Sequence, residues 1–218
     1  MITAQHIELR AGARLLMSDV SFRVGPGDRI GLVGRNGAGK TTLTRVLAGE
    51  SLPAAGTVER TGTIGYLPQD PRAGDPEQLA RDRVLSARGL DQALKALRAA
   101  ETEMGSDDGS VRERAFRRYT RAEAELHAAG GYAAESEAAV IAHALGLEDR
   151  ILGQPLKTLS GGQRRRVELA RILFSDAQTL LLDEPTNHLD ADSIVWLRGF
   201  LAHHKSGLVV ISHDTGLL

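Results

Sequence analysis

The sequence predicts an α/β fold in which an antiparallel β lobe and a mostly parallel core sheet are joined to a helical subdomain carrying a helical hairpin. Three observations lead to this prediction. Residues 1–33 alternate apolar and polar side chains with a period of two, which is typical of half-buried strands. Residues 180–183 and 208–212 are short and almost wholly apolar, as are strands buried on both faces of a parallel sheet. Residues 76–130 instead repeat apolar side chains at helical spacing.

The first part of the chain is expected to form strands on either side of one helix. A turn at Gly25–Asp28 separates the first strands from a short apolar strand over 30–33. A helix over 41–47 is expected to end at Gly49, and strand character returns over 57–68.

The middle of the chain, residues 76–130, is expected to form an antiparallel helical hairpin, which we call the arm. Its turn is the polar segment Gly105–Ser110, and each helix carries an apolar stripe that the other buries. Further helices are expected near 134–147 and over 164–174. The two stripes consist of Leu90, Leu94, Leu97 and Met104, and of Val111, Ala115, Tyr119, Ala122 and Leu126.

The composition is that of an ordinary soluble protein with a core of its own. The chain has 218 residues, of which 42% are hydrophobic and 25% charged, and its formal net charge is -1. The absence of cysteine excludes disulfides and thiolate metal sites. No apolar run approaches the roughly 20 residues that span a bilayer, and the first ten residues lack the apolar core of a signal peptide. We therefore expect a cytoplasmic protein without direct membrane insertion.

The segment between the strand at 30–33 and the helix at 41–47 fits the phosphate-binding loop pattern of glycine, four residues, glycine, lysine and serine or threonine. Its glycines let backbone N–H groups turn toward phosphate oxygens, and the helix N-terminus adds a favourable dipole. Lys40 is expected to reach the β- and γ-phosphates, and Thr41 to ligate Mg²⁺. The alternative is a plain glycine-rich turn before a helix. The candidate nucleotide-binding residues are Gly34, Arg35, Asn36, Gly37, Ala38, Gly39, Lys40, Thr41 and Thr42.

Two acidic residues stand at the end of the apolar strand over 180–183. A buried carboxylate is costly unless it meets a cation, so Asp183 is expected to hold Mg²⁺ directly or through water. Glu184 is placed to polarise an attacking water. The alternative is a buried strand that simply ends in two surface acids. The presence of the phosphate-binding loop favours the metal site over this alternative.

The segment Leu159–Gln163, a serine and two glycines that open a helix, forms a second anion-binding helix end. Together with the phosphate-binding loop and the acidic pair, it resembles the ATP-binding cassette (ABC) superfamily over almost the whole chain. The resemblance implies a P-loop nucleotide-binding domain that binds ATP and Mg²⁺, hydrolyses ATP, and works against a second cassette.

The resemblance also implies roles for single residues. Glu184 becomes the catalytic base, Gln69 in the segment 66–69 a Mg²⁺ ligand that senses the attacking water, and His213 a switch histidine that contacts the γ-phosphate. Asp190, in Asn187–Asp190, would lie at the seam between cassettes. The residues that face the nucleotide held by the second cassette would be Ser160, Gly161, Gly162 and Gln163.

Two departures from the family pattern matter. The family usually offers an aromatic side chain for stacking on adenine, and the corresponding position near Ala11–Gly12 has none, which leaves the preference for ATP over GTP open. The chain also stops at Leu218, where cassettes usually continue, so we expect it to be part of a longer polypeptide.

Two features favour the ABC-F subfamily, tandem cassettes that act on the ribosome. The sequence of residues 184–190 resembles the pattern typical of that subfamily, whereas transporters more often have small residues at the positions of Asn187 and His188. About ninety residues separate Gln69 from the signature segment at 159–163, and the arm fills the excess.

The arm carries an arginine cluster beside its second apolar stripe. One interpretation is a face that contacts the phosphates of ribosomal RNA. The alternative is a solvated helix face with ion pairs within the helix, such as Arg121 with Glu125. The cluster consists of Arg114, Arg117, Arg118 and Arg121.

The function expected from these observations is that of the N-terminal cassette of an ABC-F ATPase in translation regulation or antibiotic resistance. The alternatives are the ATPase subunit of a membrane transporter and a cassette in DNA repair. The partners expected are a second cassette and the ribosome. The expected division is a core lobe over 1–75, the arm over 76–130, the rest of the helical subdomain over 131–158, and the signature helix with the returning core over 159–218.

Overall fold

The chain folds into two compact units. The computed structural model describes residues 1–70, 74–128 and 130–212. The first unit comprises Met1–Arg72 and Asp176–Leu218, and the second comprises Ala73–Ser175. The signature segment at 159–163 therefore lies in the second unit, and the phosphate-binding loop lies in the first.

The first unit alternates strands and helices. Among the described residues it contains β1 (Ile2–Ala11), β2 (Arg14–Val24), β3 (Arg29–Leu32), α1 (Lys40–Ala48), β4 (Ala55–Arg60), β5 (Ile64–Leu67), β6 (Thr179–Asp183), α8 (Ala191–His203) and β7 (Gly207–Ile211).

The strands of the first unit form two sheets. One is antiparallel, in the order β2-β1-β4, and the other has four strands in the order β3-β7-β6-β5. Every described pairing in the second sheet is parallel. All residues of β6 and β7 are buried, as expected for strands of a parallel sheet covered on both faces. The predicted α/β fold with an antiparallel lobe and a parallel core sheet is confirmed.

A single hydrophobic cluster joins the two sheets through helix α1. Ile7 and Leu9 from the antiparallel sheet pack with Leu47 of α1 and with Leu181 and Val209 of the parallel sheet, all at most 1% exposed. At about 25 cal/mol per Å² of buried apolar surface, this cluster is a main source of stability for the unit. It fixes the position of α1, whose first residue is the lysine of the phosphate-binding loop.

The second unit is helical. Its described elements are α2 (Ala80–Leu85), a 3₁₀ turn (Ser86–Arg88), α3 (Leu90–Met104), α4 (Gly109–Ala128), α5 (Gly131–Ala144), α6 (Asp149–Leu152), a second 3₁₀ turn (Leu156–Thr158) and α7 (Gly161–Phe174). None of the helices among the described residues is long and apolar enough to cross a membrane.

Helices α3 and α4 form the hairpin that the sequence predicts for the arm, with a tight turn between them. Two alanines, Ala93 and Ala100, complete the buried stripe of α3. Met104 is 37% exposed and does not belong to that stripe, because it is the last residue of its helix, at the turn of the hairpin. In α4 the buried residues are Ala115, Ala122 and Leu126.

Buried charge holds α2 against α7. The Glu168 carboxylate, 6% exposed, accepts hydrogen bonds from Arg83 Nε at 2.5 Å and Arg83 Nη2 at 3.2 Å, and from Arg171 Nε at 2.9 Å. Arg88 lies 4.0 Å over the ring of Phe174 and forms two hydrogen bonds with Glu137, at 2.7 and 2.9 Å. These contacts secure the signature helix within its unit.

Several element boundaries differ from those expected. Strand β3 ends at Leu32, and Val33 is 68% exposed because the chain already turns into the loop there. Helix α5 begins at Gly131 and ends at Ala144, earlier than the expected 134–147. Helix α7 begins at Gly161, three residues before its expected start, because its glycines are helical once Ser160 caps them.

Candidate functional site

The candidate site residues of the first unit gather where the parallel strands end. The register aligns Leu32 of β3 with Ile211 of β7, and Ile211 with Asp183 of β6. Because the carboxyl ends of parallel strands share one edge, the phosphate-binding loop after β3 and the acidic pair at the end of β6 meet there. Gln69 follows β5 at the same edge.

The phosphate-binding loop depends on glycines for its path. Gly37 and Gly39 adopt left-handed backbone conformations, with φ of 77° and 96°. A Cβ at Gly39 would also lie 3.1 Å from the Cβ of Leu16, closer than ordinary van der Waals contact. Any other residue there would be strained by its backbone and crowded by β2, so the turn into α1 requires glycine.

Lys40 spans the loop that precedes it. Its Nζ donates hydrogen bonds to the carbonyl oxygens of Gly34, at 2.6 Å, and Arg35, at 3.1 Å. The ammonium group therefore lies across the mouth of a loop that is itself followed by a helix N-terminus. Positive charge and free helix N–H groups together favour an anion such as a phosphate at this point.

The acidic pair consists of one buried and one half-buried carboxylate. Asp183 is 1% exposed at the end of β6. Glu184 leaves the strand with φ of 48°, and its backbone N–H donates to the carbonyl oxygen of Ile211 at 2.8 Å. This conformation is sparsely populated for a residue with a side chain, and such conformations concentrate at functional sites.

Tyr66 of β5 contributes a neutral phenol to the surroundings of Asp183. Burial raises the pKa of the Tyr66 phenol above its ordinary value, and the negative charges of Glu50 and Asp183 raise it further. The phenol therefore keeps its proton at physiological pH, and it adds no negative charge to the site.

One cavity brings these residues together within the first unit. It has a volume of about 600 Å³, which is ample for a nucleotide. The predicted site residues that line it are Asn36, Gly37, Gly39, Lys40, Thr41, Thr42, Gln69, Asp183 and Glu184.

The remaining predicted site residues lie elsewhere. Gly34, Arg35 and Ala38 belong to the same loop without lining the cavity, and Asp190 accepts a hydrogen bond from the backbone N–H of Ser193, at 2.8 Å, as the cap of α8. His213 lies outside the described residues.

The signature residues form a helix cap in the second unit. Ser160 Oγ accepts a hydrogen bond from the backbone N–H of Gln163 at 3.2 Å, and the Ser160 N–H donates to Gln163 Oε1 at 2.8 Å. This reciprocal pair is a capping box, which satisfies two N–H groups of the helix end. Ser160 and Gly161 are exposed, so the remaining N–H groups of this helix end are open to a ligand.

The oxygen atoms of the cavity suit Mg²⁺. A buried carboxylate (Asp183), a hydroxyl (Thr41) and a side-chain amide (Gln69) line it together. Hard oxygen ligands of this kind, completed by phosphate oxygens and water, are the set that Mg²⁺ prefers.

The cavity also includes residues outside the predicted set of nucleotide- and metal-binding residues. Arg14 and Leu16 come from the start of β2, Ile211 from the end of β7, and Asn187 from the segment after Glu184. Arg14 stands three residues after Ala11, where an aromatic side chain is missing, so the sequence indicates this stretch of the chain without singling out Arg14.

Comparisons with known proteins identify the family of this site. Residues 17–187 match the family model described as ABC transporter. The tylosin resistance ATP-binding protein TlrC of Streptomyces fradiae is 40% identical over 209 residues, which cover 92% of this chain and 37% of that protein. The energy-dependent translational throttle protein EttA of Haemophilus influenzae is 36% identical over 214 residues, covering 92% of this chain and 36% of that protein. The chain thus spans about a third of the length of these relatives.

Solved structures show the same fold. The dimeric post-hydrolysis state of an ATP-binding cassette bound to ADP and Pi matches with a TM-score of 0.66 and 20% identity, covering 100% of this chain and 90% of that one. The archaeal ribosome recycling factor aABCE1, in complex with the ribosomal stalk protein aP1, matches with a TM-score of 0.64 and 24% identity, covering 97% of this chain and 34% of that one.

Proposed function

The chain belongs to the ABC family, in which it is an ATPase cassette of subfamily F, and from this premise we propose that it couples ATP-driven pairing with a second cassette to ribosome binding. The observation that carries the proposal is the single cavity in which the phosphate-binding loop meets the acidic pair and Gln69.

Each residue of the cavity has its own role in hydrolysis. Lys40 exchanges its two loop carbonyls for phosphate oxygens and neutralises charge that develops in the transition state. Thr41, Asp183 and Gln69 hold Mg²⁺, which supplies positive charge to the phosphates. Glu184 accepts the proton of the attacking water, with Gln69 beside it to orient that water.

The second cassette completes the site. The capped helix end at Ser160 belongs to the second unit, whereas the cavity belongs wholly to the first. We infer that Ser160 and the glycines after it bind the γ-phosphate of a nucleotide held by a partner cassette, as the family resemblance implies. Each cassette then owns two half-sites, and hydrolysis is fast only in a head-to-tail pair.

The proposed target is the ribosome, which places the protein in the cytoplasm. Two relatives, a tylosin resistance ATP-binding protein and an energy-dependent translational throttle protein, favour a role in translation. The hairpin of α3 and α4 carries the arginine cluster on one face of α4. A cavity in that face is lined by Arg114, Arg117 and Arg118, with Val111 and Glu103.

The arginines of this face are partly engaged within the arm. Arg117 pairs with Glu113 at 2.9 Å, Arg121 pairs with Glu125 at 2.9 Å, and Arg118 pairs with Glu103. All three pairs are well exposed, so each contributes little to stability and can exchange for RNA phosphates at small cost.

Two measurements test the proposal. Mg²⁺-ATP binding should be lost in Lys40→Met and kept in Lys205→Met, which removes an exposed lysine away from the cavity. The protein with Glu184→Gln should sediment with ribosomes in ATP and remain in the supernatant in ADP. Sedimentation that ignores the nucleotide would contradict the coupling, and ATP-dependent binding to membrane vesicles instead of ribosomes would favour the transporter alternative.

A further inference from the structure

The nucleotide cavity has a wall that the proposed chemistry does not use. Besides the loop and the acidic pair, Ala11, Arg14 and Leu16 line it. Ala11 ends β1 and Arg14 begins β2, and the two face each other across the turn of this hairpin. The wall is therefore built by the antiparallel sheet and not by the sheet that carries the catalytic residues.

The spacing between the phosphate-binding loop and Arg14 suits the ribose and base of a nucleotide whose phosphates lie in the loop. Leu16 abuts the phosphate-binding loop, since a Cβ at Gly39 would lie 3.1 Å from the Leu16 Cβ. Arg14 stands two residues farther along the extended strand, or about 7 Å. A ribose fills a gap of this order, so a base attached to it comes level with Arg14.

The guanidinium of Arg14 is available to a ligand. The residue is exposed, and no ion pair joins it to a carboxylate within the described ranges 1–70, 74–128 and 130–212. Its neighbour Arg10 differs, since Arg10 Nε lies 2.6 Å from Glu8 Oε1. No aromatic side chain is among the described residues that line the cavity, so another planar group must cover a base.

We propose that Arg14 holds the nucleotide base by stacking its guanidinium plane on the purine ring. The inference rests on the ATP site proposed above. A guanidinium is flat, permanently charged and weakly hydrated, and it stacks well on π-systems. The small Ala11 side chain opposite leaves room for the ring. Because stacking uses the face of the base and not its edge, adenine and guanine should be held with similar strength, within about tenfold of each other.

The test separates the base from the phosphates by using three probes with Mg²⁺, namely ATP, GTP and inorganic tripolyphosphate. Arg14→Met keeps the apolar stem and removes the planar charge. We expect it to weaken ATP and GTP binding about three- to thirtyfold, as the loss of a cation–π contact does, and to leave tripolyphosphate binding unchanged. Arg14→Tyr should restore binding of both nucleotides. Arg10→Met, on the same hairpin but paired with Glu8, should alter none of the three affinities.

The outcomes are distinguishable from a failure of the ATP site itself. Equal losses for tripolyphosphate and ATP in Arg14→Met would overturn the proposal, because Arg14 would then act on the phosphates. Unchanged ATP and GTP affinities would overturn it as well. If the unchanged protein bound none of the probes, the ATP site would be wrong and the base site would fall with it. Because Arg14 is exposed, thermal unfolding should confirm that each variant is folded.

Discussion

Glu184 is held in place by a strained backbone conformation. Its φ of 48° costs of order 1 kcal/mol for a residue with a Cβ. The hydrogen bond from its N–H to Ile211 ties it to the parallel sheet, and the buried neighbours Asp183 and Pro185 fix both of its ends. The backbone that carries the Glu184 carboxylate is therefore restricted where the residue lines the cavity.

A change of this one carboxylate should separate binding from turnover. Glu184→Gln keeps size and hydrogen-bonding capacity but cannot accept a proton, so ATP should bind with near-normal affinity while hydrolysis falls about 10²- to 10⁴-fold. Phosphate release and equilibrium nucleotide binding measure the two effects. Glu50→Gln makes the same chemical change on an exposed residue outside the cavity and should leave hydrolysis intact. Near-normal turnover in Glu184→Gln would refute its role as the base.

The packing of α2 against α7 illustrates the element scale. The Glu168 side chain is 8% exposed and pairs with two arginines, Arg83 and Arg171. The Glu137 side chain is 49% exposed and pairs with Arg88. Both carboxylates form paired hydrogen bonds with an arginine, but Glu168 is more buried and has a second arginine partner, Arg171.

Removal of either carboxylate should therefore have unequal effects on stability. Glu168→Ala leaves Arg83 and Arg171 without their carboxylate in a mostly buried place and should lower the free energy of unfolding by about 3 kcal/mol. Glu137→Ala should lower it by less than about 1 kcal/mol. Urea denaturation of both variants checks the difference. Equal losses would mean that neither burial nor the second arginine strengthens the Glu168 site.

The arm is the element whose role depends most on charge. Replacing Arg114, Arg117, Arg118 and Arg121 by glutamine removes four positive charges without placing glutamates beside existing ones. Ribosome affinity should fall, and the slope of log affinity against log salt should flatten by up to about 3. ATP binding should persist, because the arm and the cavity belong to different units.

The matched control for the arm is Arg112→Gln. Arg112 lies on the same helix α4 but outside the arginine cluster, with its Nη1 donating to the carbonyl oxygen of Ser106 at 3.2 Å. It should leave the salt slope nearly unchanged. An unaltered slope in the fourfold variant would return the cluster to the solvated, ion-paired face that the contacts within the arm also permit.

At the scale of the whole molecule, the nucleotide cavity lies in the first unit and the Ser160 helix end in the second. The proposed shared-site mechanism therefore predicts how activity depends on concentration. If hydrolysis requires two cassettes, specific ATPase activity should rise with chain concentration and approach a plateau only when most chains are paired. Ultracentrifugation in the presence and absence of ATP, with the same samples assayed for phosphate release, provides the comparison. Robust activity in a sample that is monomeric throughout would overturn the shared-site mechanism.

At this scale the sequence predicts the fold class and the phosphate chemistry well, for identifiable reasons. The loop at 34–41 is a local pattern whose glycine requirement is set by backbone geometry, and β6 and β7 are recognised because both of their faces are buried. The position of Arg14 at the cavity could not be predicted, because it depends on how the β1–β2 hairpin packs against Gly39, a contact between residues distant in the chain. The exposure of Met104 likewise depends on where the hairpin ends.

The cap at Ser160 determines which charge the signature helix will tolerate beside it. Ser160 Oγ accepts the hydrogen bond from the Gln163 N–H, so the hydroxyl proton of Ser160 can be donated to a ligand in solvent. Ser160→Asp would keep the cap, because aspartate serves equally well there, yet it would turn that donor into a negative charge. Such a protein should unfold at the same temperature as the original, while the added carboxylate should repel the γ-phosphate that the proposed function assigns to this helix end.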